Sequence, residues 1–328
     1  DTAESRLIER SPAWHVTHGP LSRRDLARLP ARDWTLLVNG INLHSEKADA
    51  LLGRFAFVPW ARLDDVMVSH AEDGGGVGPH VDSYDVFLLQ GPGRRRWRLM
   101  PPPARGKPFR QVPNAPLKLI AGFRHTVQMT LEPGDMLYLP PGWGHDGTAM
   151  GTCQTYSIGF RAPGGAELSA AFLDFLHERG FQDTPYRDPS RVPARHPALI
   201  DEHMIRHAAS VLGRIRWTRA AVAEFLGRFL SEPKQYVAFD APRRPMGRAE
   251  FMRRLPAAAV CLDPRSRMLA CGTRFYLNGA MVPAPARARA ALVDLADRRE
   301  STGDKLAKNG AGELIFSSYL QGFLHLKQ

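Results

Sequence analysis

The hydrophobic period of the chain changes once, near residue 166, and that change constrains the fold more than any other feature. Before it, apolar residues come in short runs punctuated by Gly and Pro. Strand candidates are 66–70, 80–90, 94–100, 117–121, 126–131, 136–139 and 153–161. Gly91-Pro92-Gly93, Glu132-Pro133-Gly134-Asp135 and Pro140-Pro141-Gly142 supply turns between several of them. Short strands at this spacing predict a β-sandwich or barrel.

After the change the period is helical. Leu168, Ala171, Phe172, Phe175 and Leu176 recur at i, i+3, i+4, i+7 and i+8. Met204, Ala208, Val211, Leu212 and Ile215 form a second stripe. Val222, Phe225, Leu226, Phe229 and Leu230 form a third, with Thr218 as its N-cap and Pro233 beyond its end. Such stripes bury against one another or against a second subunit. Ala241-Pro242-Arg243-Arg244-Pro245 reads as a linker. A helix over 248–255, strands near 268–270 and 274–277, a turn at Asn278-Gly279 and two further helices then predict a winged-helix-like module. The expected organisation is α+β, with units at 1–165, 166–240 and 241–328.

Composition narrows the function classes. The 328 residues are 44% apolar, enough for a sizeable core. No apolar run is long enough to span a membrane, and the first residues lack the apolar core of a signal peptide. The chain opens on Asp1 without an initiator Met, which reads as an N-terminal truncation. Cys153, Cys261 and Cys271 make no Cys-x-x-Cys pair, so neither a disulfide framework nor a structural zinc site is expected, and a reducing cytoplasm fits. The net charge of +11 attracts polyanions such as nucleic acid. An Arg-rich proteome explains the same charge without any partner.

The chemistry centres on His80-Val81-Asp82. On a strand, residues i and i+2 share a face, so imidazole and carboxylate converge. With a second His they make the two-His, one-carboxylate face that binds iron and leaves three positions open. Alone, a His-x-Asp pair is more often an ordinary surface hydrogen-bonding pair. The run Gly74-Gly75-Gly76-Val77-Gly78-Pro79 turns the backbone tightly into the pair. It lacks the Gly-Lys-Ser/Thr of a phosphate loop. His145, delivered by the rigid Pro140-Pro141-Gly142 turn, is the candidate third ligand; His125 competes for that place without such a frame.

Arg95 lies in Arg94-Arg95-Arg96-Trp97-Arg98-Leu99. Alternation puts it with Trp97 and Leu99 on the apolar face and leaves Arg94, Arg96 and Arg98 on the other. A buried guanidinium needs an anion. A dicarboxylate co-substrate supplies one; an internal Asp or Glu would serve as well, and a wholly exposed basic strand would bind RNA instead. Tyr84 and Asp85 follow the pair closely and are candidates to hold a basic substrate side chain, or are ordinary strand residues. His203 and His207 share a helical face without the Glu of a zinc peptidase and read as surface histidines. Ser157 lacks a nucleophile-elbow frame.

The stretch 74–99, then Leu131 through His145, then Tyr156-Ser157-Ile158-Gly159-Phe160-Arg161, resembles the JmjC-type ribosomal oxygenases of the cupin superfamily. Within them it is most similar to the bacterial branch of ribosomal-protein arginine 3-hydroxylases. The likeness runs from Glu4 to near the C-terminus, strongest over 60–165 and weakest after about 235. It implies a double-stranded β-helix, a jelly-roll or cupin-like JmjC barrel, followed by a helical dimerisation domain and a C-terminal winged helix. It implies Fe(II) on His80, Asp82 and His145, and the distal carboxylate of 2-oxoglutarate on Arg95 with Ser69 nearby. The implied reaction uses O2, converts 2-oxoglutarate to succinate and CO2, and hydroxylates the β-carbon of an arginine in a large-subunit ribosomal protein. Implied partners are that protein, ribosomal RNA and a second copy of the chain, in the cytoplasm. Two other functions compete: a JmjC-type N-methyl demethylase, and a non-enzymatic cupin-fold protein that binds RNA or ribosomes. The set of His80, Asp82, His145 and Arg95 argues against the second.

Overall fold

The computed structural model describes residues 4–327 except 12, 105–106, 181–184 and 188–195. Eleven strands precede the change of period: β1 (Ser5–Glu9), β2 (His15–His18), β3 (Trp34–Val38), β4 (Leu63–Ala71), β5 (His80–Val81), β6 (Val86–Gln90), β7 (Arg94–Met100), β8 (Val127–Leu131), β9 (Met136–Leu139), β10 (Gly144–Met150) and β11 (Cys153–Phe160). Two helices, α1 (Arg23–Ala27) and α2 (Glu46–Gly53), interrupt them. The strands form a seven-stranded sheet in the order β2-β1-β3-β4-β11-β6-β9 and a four-stranded sheet in the order β5-β10-β7-β8.

The expected barrel does not close. Closure requires a hydrogen-bonded neighbour on both sides of every strand. Among the described residues β2 and β9 end the larger sheet, and β5 and β8 end the smaller. The two open sheets pack instead through Val86, Leu88, Trp97, Leu99, Leu131 and Leu139. A second cluster, with Leu52, Phe55, Leu63, Val66, Ile158 and Phe160, seats α2 and the turn after it on the larger sheet.

Local sequence explains most of these strands. In β7 the residues alternate as expected, with Arg95, Trp97 and Leu99 buried. The 80–90 candidate divides into β5 and β6, because residues 82–85 leave the ladder. The 117–121 candidate is no strand; only a bridge between Gln111 and Ile120 remains. Strand β10, Gly-His-Asp-Gly-Thr-Ala-Met, escapes pattern reading because its burial is not apolar: six of its seven residues are buried, and most are polar or glycine. The glycine run before β5 is threaded through narrow space. A Cβ on Gly75 would meet the Trp34 carbonyl at 2.0 Å, and one on Gly76 the Gly147 carbonyl at 2.1 Å. Hydrogen bonds between Gly74, Gly75 and Ala149 tie this run to β10.

The helical stripes form α3 (Gly165–Glu178), α4 (Glu202–Leu212) and α5 (Arg219–Ser231). Thr218 caps α5, accepting from the Ala221 amide as its position predicts. Phe172 and Phe175 of α3 pack against Phe225 of α5 in edge-on and tilted contacts, with Phe229 stacked on Phe225. By contrast, α4 buries no residue, and its Met204, Ile205 and Leu212 face solvent.

The remaining elements are α6 (Arg248–Arg254), β12 (Ala259–Leu262), β13 (Met268–Cys271), β14 (Arg274–Leu277), β15 (Ala280–Val282), α7 (Arg289–Arg298), β16 (Glu300–Thr302), α8 (Gly303–Lys308), α9 (Gly312–Leu320) and β17 (Leu324–Lys327). They enclose one apolar core around Phe251, Leu255, Phe275, Leu292, Leu306 and Ile315. The β14–β15 hairpin turns at Asn278-Gly279, both with positive φ. Among the described residues no helix is long and apolar enough to cross a membrane.

Candidate active site

Strands β5 and β10 pair antiparallel with His80 directly opposite His145. Their rings lie 4.2 Å apart between centroids. Each imidazole is anchored through Nδ1 to a backbone carbonyl, His80 to Gly78 at 2.8 Å and His145 to Trp143 at 3.0 Å. A ring whose Nδ1–H donates presents Nε2 as a lone pair, the arrangement that orients metal-binding histidines. His145 Nε2 lies 3.5 Å from Asp82 Oδ2. One ligand atom from each of His80, Asp82 and His145 lies within 4.8 Å of the others, and no other such group occurs among the described residues.

Burial and the neighbouring His80 push the His145 imidazole down to about 4. It is therefore neutral at physiological pH and ready to ligate. Two histidine nitrogens and one carboxylate suit a ferrous ion, with the remaining positions free for small ligands. Asp82 stands one residue past the end of β5, and its carbonyl accepts from the Gly142 amide at 2.9 Å. The Pro140-Pro141-Gly142 turn therefore ties the Asp82 backbone to the start of β10.

A cavity of about 410 Å3 opens over these three residues; Ser69, Tyr84, Arg95, Thr155 and Lys234 are among the others that line it. Arg95 is 3% exposed. Its guanidinium lies 3.6 Å from the Cys153 sulfur, its Nε has no partner, and it makes no ion pair among the described residues. Neither alternative for Arg95 holds: it is not on an exposed basic strand, and no internal carboxylate neutralises it. Ser69 is also buried, with its hydroxyl 3.1 Å from Thr35 Oγ1.

The other candidates separate. Tyr84 lines the cavity, and burial raises its phenol well above the ordinary tyrosine value, with the Asp82, Asp65 and Asp64 carboxylates adding to the rise. Asp85 does not line it; its carboxylate accepts from Arg62 at 3.2 Å and from the Tyr138 hydroxyl at 2.7 Å. His125 is exposed before β8 and outside the cavity. His203 and His207 are engaged by Arg206 and Tyr186 respectively. Sequence reading missed the cavity rim. Lys234 binds Asp65 at 3.0 Å and Asp64 at 3.3 Å, and Arg267 donates to the Leu63 carbonyl at 2.9 Å. These residues come from β4 and from far along the chain, so no local pattern could have linked them.

Two family models match the chain, the JmjC domain over residues 50–168 and the ROXA-like winged helix over 214–325. The Ribosomal protein uL16 3-hydroxylase of Escherichia coli K12 is 34% identical over 308 residues, spanning 92% of this chain and 81% of that protein. This chain belongs to the JmjC-fold ribosomal oxygenase family, in its bacterial branch. The crystal structure of E. coli YcfD superposes with a TM-score of 0.83 at 30% identity, covering all of this chain and 88% of that one. The same ribosomal oxygenase in complex with cobalt and 2-oxoglutarate gives a TM-score of 0.80 with the same coverage. The match to the ROXA-like winged helix begins at residue 214 and so takes in α5 as well as the module with the β14–β15 hairpin. This ribosomal oxygenase is a dioxygenase dependent on Fe(II) and 2-oxoglutarate.

Proposed function

We propose that this ribosomal oxygenase hydroxylates the β-carbon of an arginine in a large-subunit ribosomal protein. The observation that carries the reading is a single cavity holding both His80–Asp82–His145 and a buried, unpaired Arg95. In this reading the triad holds Fe(II), and Arg95 takes the distal carboxylate of 2-oxoglutarate through a charge-assisted pair, beside Ser69. The bound metal supplies the activation of O2; the chain supplies orientation and exclusion of water. The E. coli relative's name, a ribosomal protein uL16 3-hydroxylase, supports the choice of target. The rim carboxylates Asp64 and Asp65 are already paired with Lys234, so Tyr84, which lines the cavity, is the residue proposed to meet the substrate side chain.

In the same reading the chain divides at about residues 165 and 240. The solvent-facing stripe of α4 meets a second copy, and the enzyme acts in the cytoplasm. An exposed apolar face of this kind supports an interface. The deciding experiment incubates the full chain with Fe(II), 2-oxoglutarate, O2 and a uL16 fragment. The expected result is a product heavier by one oxygen, on an arginine, with stoichiometric succinate. Formaldehyde release from a methylated peptide instead would identify a demethylase.

A further inference from the structure

We propose that Arg267, in the C-terminal module, is a positioning residue for the substrate-facing rim of the active-site cavity. The proposal deepens the hydroxylase reading and rests on it for the identity of the substrate. Among the described residues, Arg267 is the one residue beyond 240 that lines the cavity over His80, Asp82 and His145.

Arg267 holds an irregularity in the larger sheet. Strands β4 and β11 pair in steady register from Ala71 with Cys153 to Val66 with Ile158, and then Leu63 faces Phe160. Asp64 and Asp65 therefore stand opposite Gly159 alone. Two residues against one make a β-bulge, which interrupts the ladder and re-aims side chains. Consecutive residues of a regular strand point to opposite faces. Here Asp64 and Asp65 both line the cavity and both reach Lys234, at 3.3 Å and 3.0 Å. The bulge is what turns them the same way.

A broken ladder leaves backbone groups in need of partners. Asn42 Oδ1 accepts from the Val66 amide at 2.9 Å. Arg267 supplies the other side: its Nη1 donates to the Leu63 carbonyl at 2.9 Å and its Nη2 to the Asp64 carbonyl. The planar fork of a guanidinium suits two successive carbonyls. The same group faces the Asp64 carboxylate at 3.5 Å. Arg267 is itself fixed by the β14–β15 turn. Its amide donates to Asn278 Oδ1 at 2.8 Å, and the Asn278 amide donates to its carbonyl at 3.0 Å. The module does not dock through Arg267 alone. Trp60 Nε1 donates to the Asp297 carbonyl at 3.0 Å, and Arg299 pairs with Asp49 at 3.5 Å, both outside the cavity. Loss of Arg267 therefore loosens the rim without detaching the module.

The test combines amide hydrogen exchange on the full chain with fluorescence anisotropy of a labelled uL16 fragment, in Co(II) and 2-oxoglutarate without O2. Arg267→Ala should speed exchange at residues 63–66 and leave 80–82 and 145 at the parent rate. It should weaken fragment binding roughly tenfold through a displaced rim. The affinity for 2-oxoglutarate, measured by calorimetry, should not change. Arg267→Lys should recover part of the loss, since an ammonium keeps the charge but not the fork. Trp60→Phe, which removes a module contact outside the cavity, should match the parent in both measurements. Unchanged exchange at 63–66 in Arg267→Ala would overturn the proposal. So would parent-level fragment affinity in that variant, or an equal fall in 2-oxoglutarate affinity, which marks a general loss of fold. A parent that does not bind the fragment would sink the uL16 reading alone, and the exchange pattern would still decide for or against Arg267.

Discussion

His80 and His145 face each other across β5 and β10, and each anchors its Nδ1 to the carbonyl two residues earlier in its own chain segment. The symmetry of that anchoring fixes both Nε2 atoms toward Asp82 before any metal arrives. Removing one ligand should therefore abolish binding rather than weaken it by degrees. His145→Ala and Asp82→Ala should each eliminate the visible spectrum of a bound Co(II) and all succinate formation. Retention of stoichiometric cobalt by either variant would place the metal elsewhere.

Arg95 should report on the co-substrate alone. Its loss removes a charge-assisted contact worth about 2 kcal/mol. Arg95→Ala should raise the KM for 2-oxoglutarate by roughly thirtyfold while cobalt affinity holds. Arg95→Lys should recover part of the loss, because an ammonium keeps the charge but not the planar fork. An unchanged KM in Arg95→Ala would remove the guanidinium from the co-substrate site.

Tyr84 and Asp85 adjoin in sequence but differ in surroundings. Tyr84→Ala should raise the KM for the ribosomal-protein fragment roughly tenfold. Asp85→Asn should leave that KM unaltered, since its carboxylate is occupied by Arg62 and Tyr138. The reverse pattern in steady-state kinetics would exchange the two roles.

Asp263 gives the C-terminal module an acid-sensitive anchor. Burial alone would raise its carboxyl, but hydrogen bonds from Arg265 and His325 outweigh burial and hold it well below the usual carboxylate range. A carboxyl lowered by folding stabilises the native state above its unfolded pKa of about 4, and the gain is lost as pH falls further. Asp263→Asn should cost about 3 kcal/mol near neutral pH. Urea melts should show that difference shrinking below about pH 4. A constant difference across the acid range would show that the carboxylate's charge is not what stabilises the module.

The α4 stripe should control self-association. Ile205→Glu with Leu212→Glu places two charges where an interface would bury apolar surface, weakening association at least roughly a hundredfold. Sedimentation velocity should show a dimeric parent and a monomeric variant. A monomeric parent would leave the stripe without a second copy.

What the sequence alone determined was whatever short-range geometry controls. Alternation in β7 placed Arg95 inside, the Pro-Pro-Gly turn delivered His145, helical spacing located α3 to α5, and Asn278-Gly279 marked a hairpin. Each depends on backbone geometry over a few residues. Tertiary structure decided the rest. It left the sheets open where a closed barrel was expected, because strand pairing joins distant residues and each sheet runs out of neighbours at its edges. It made a seven-residue strand from the glycine-rich, polar segment around His145, because burial by facing sheets supplied what side-chain hydrophobicity did not. It set Lys234 and Arg267 on the rim beside Asp64 and Asp65, and it gathered Arg179, Arg228 and Arg274 on Glu224. Charges far apart in the chain come together only when the fold brings them within reach.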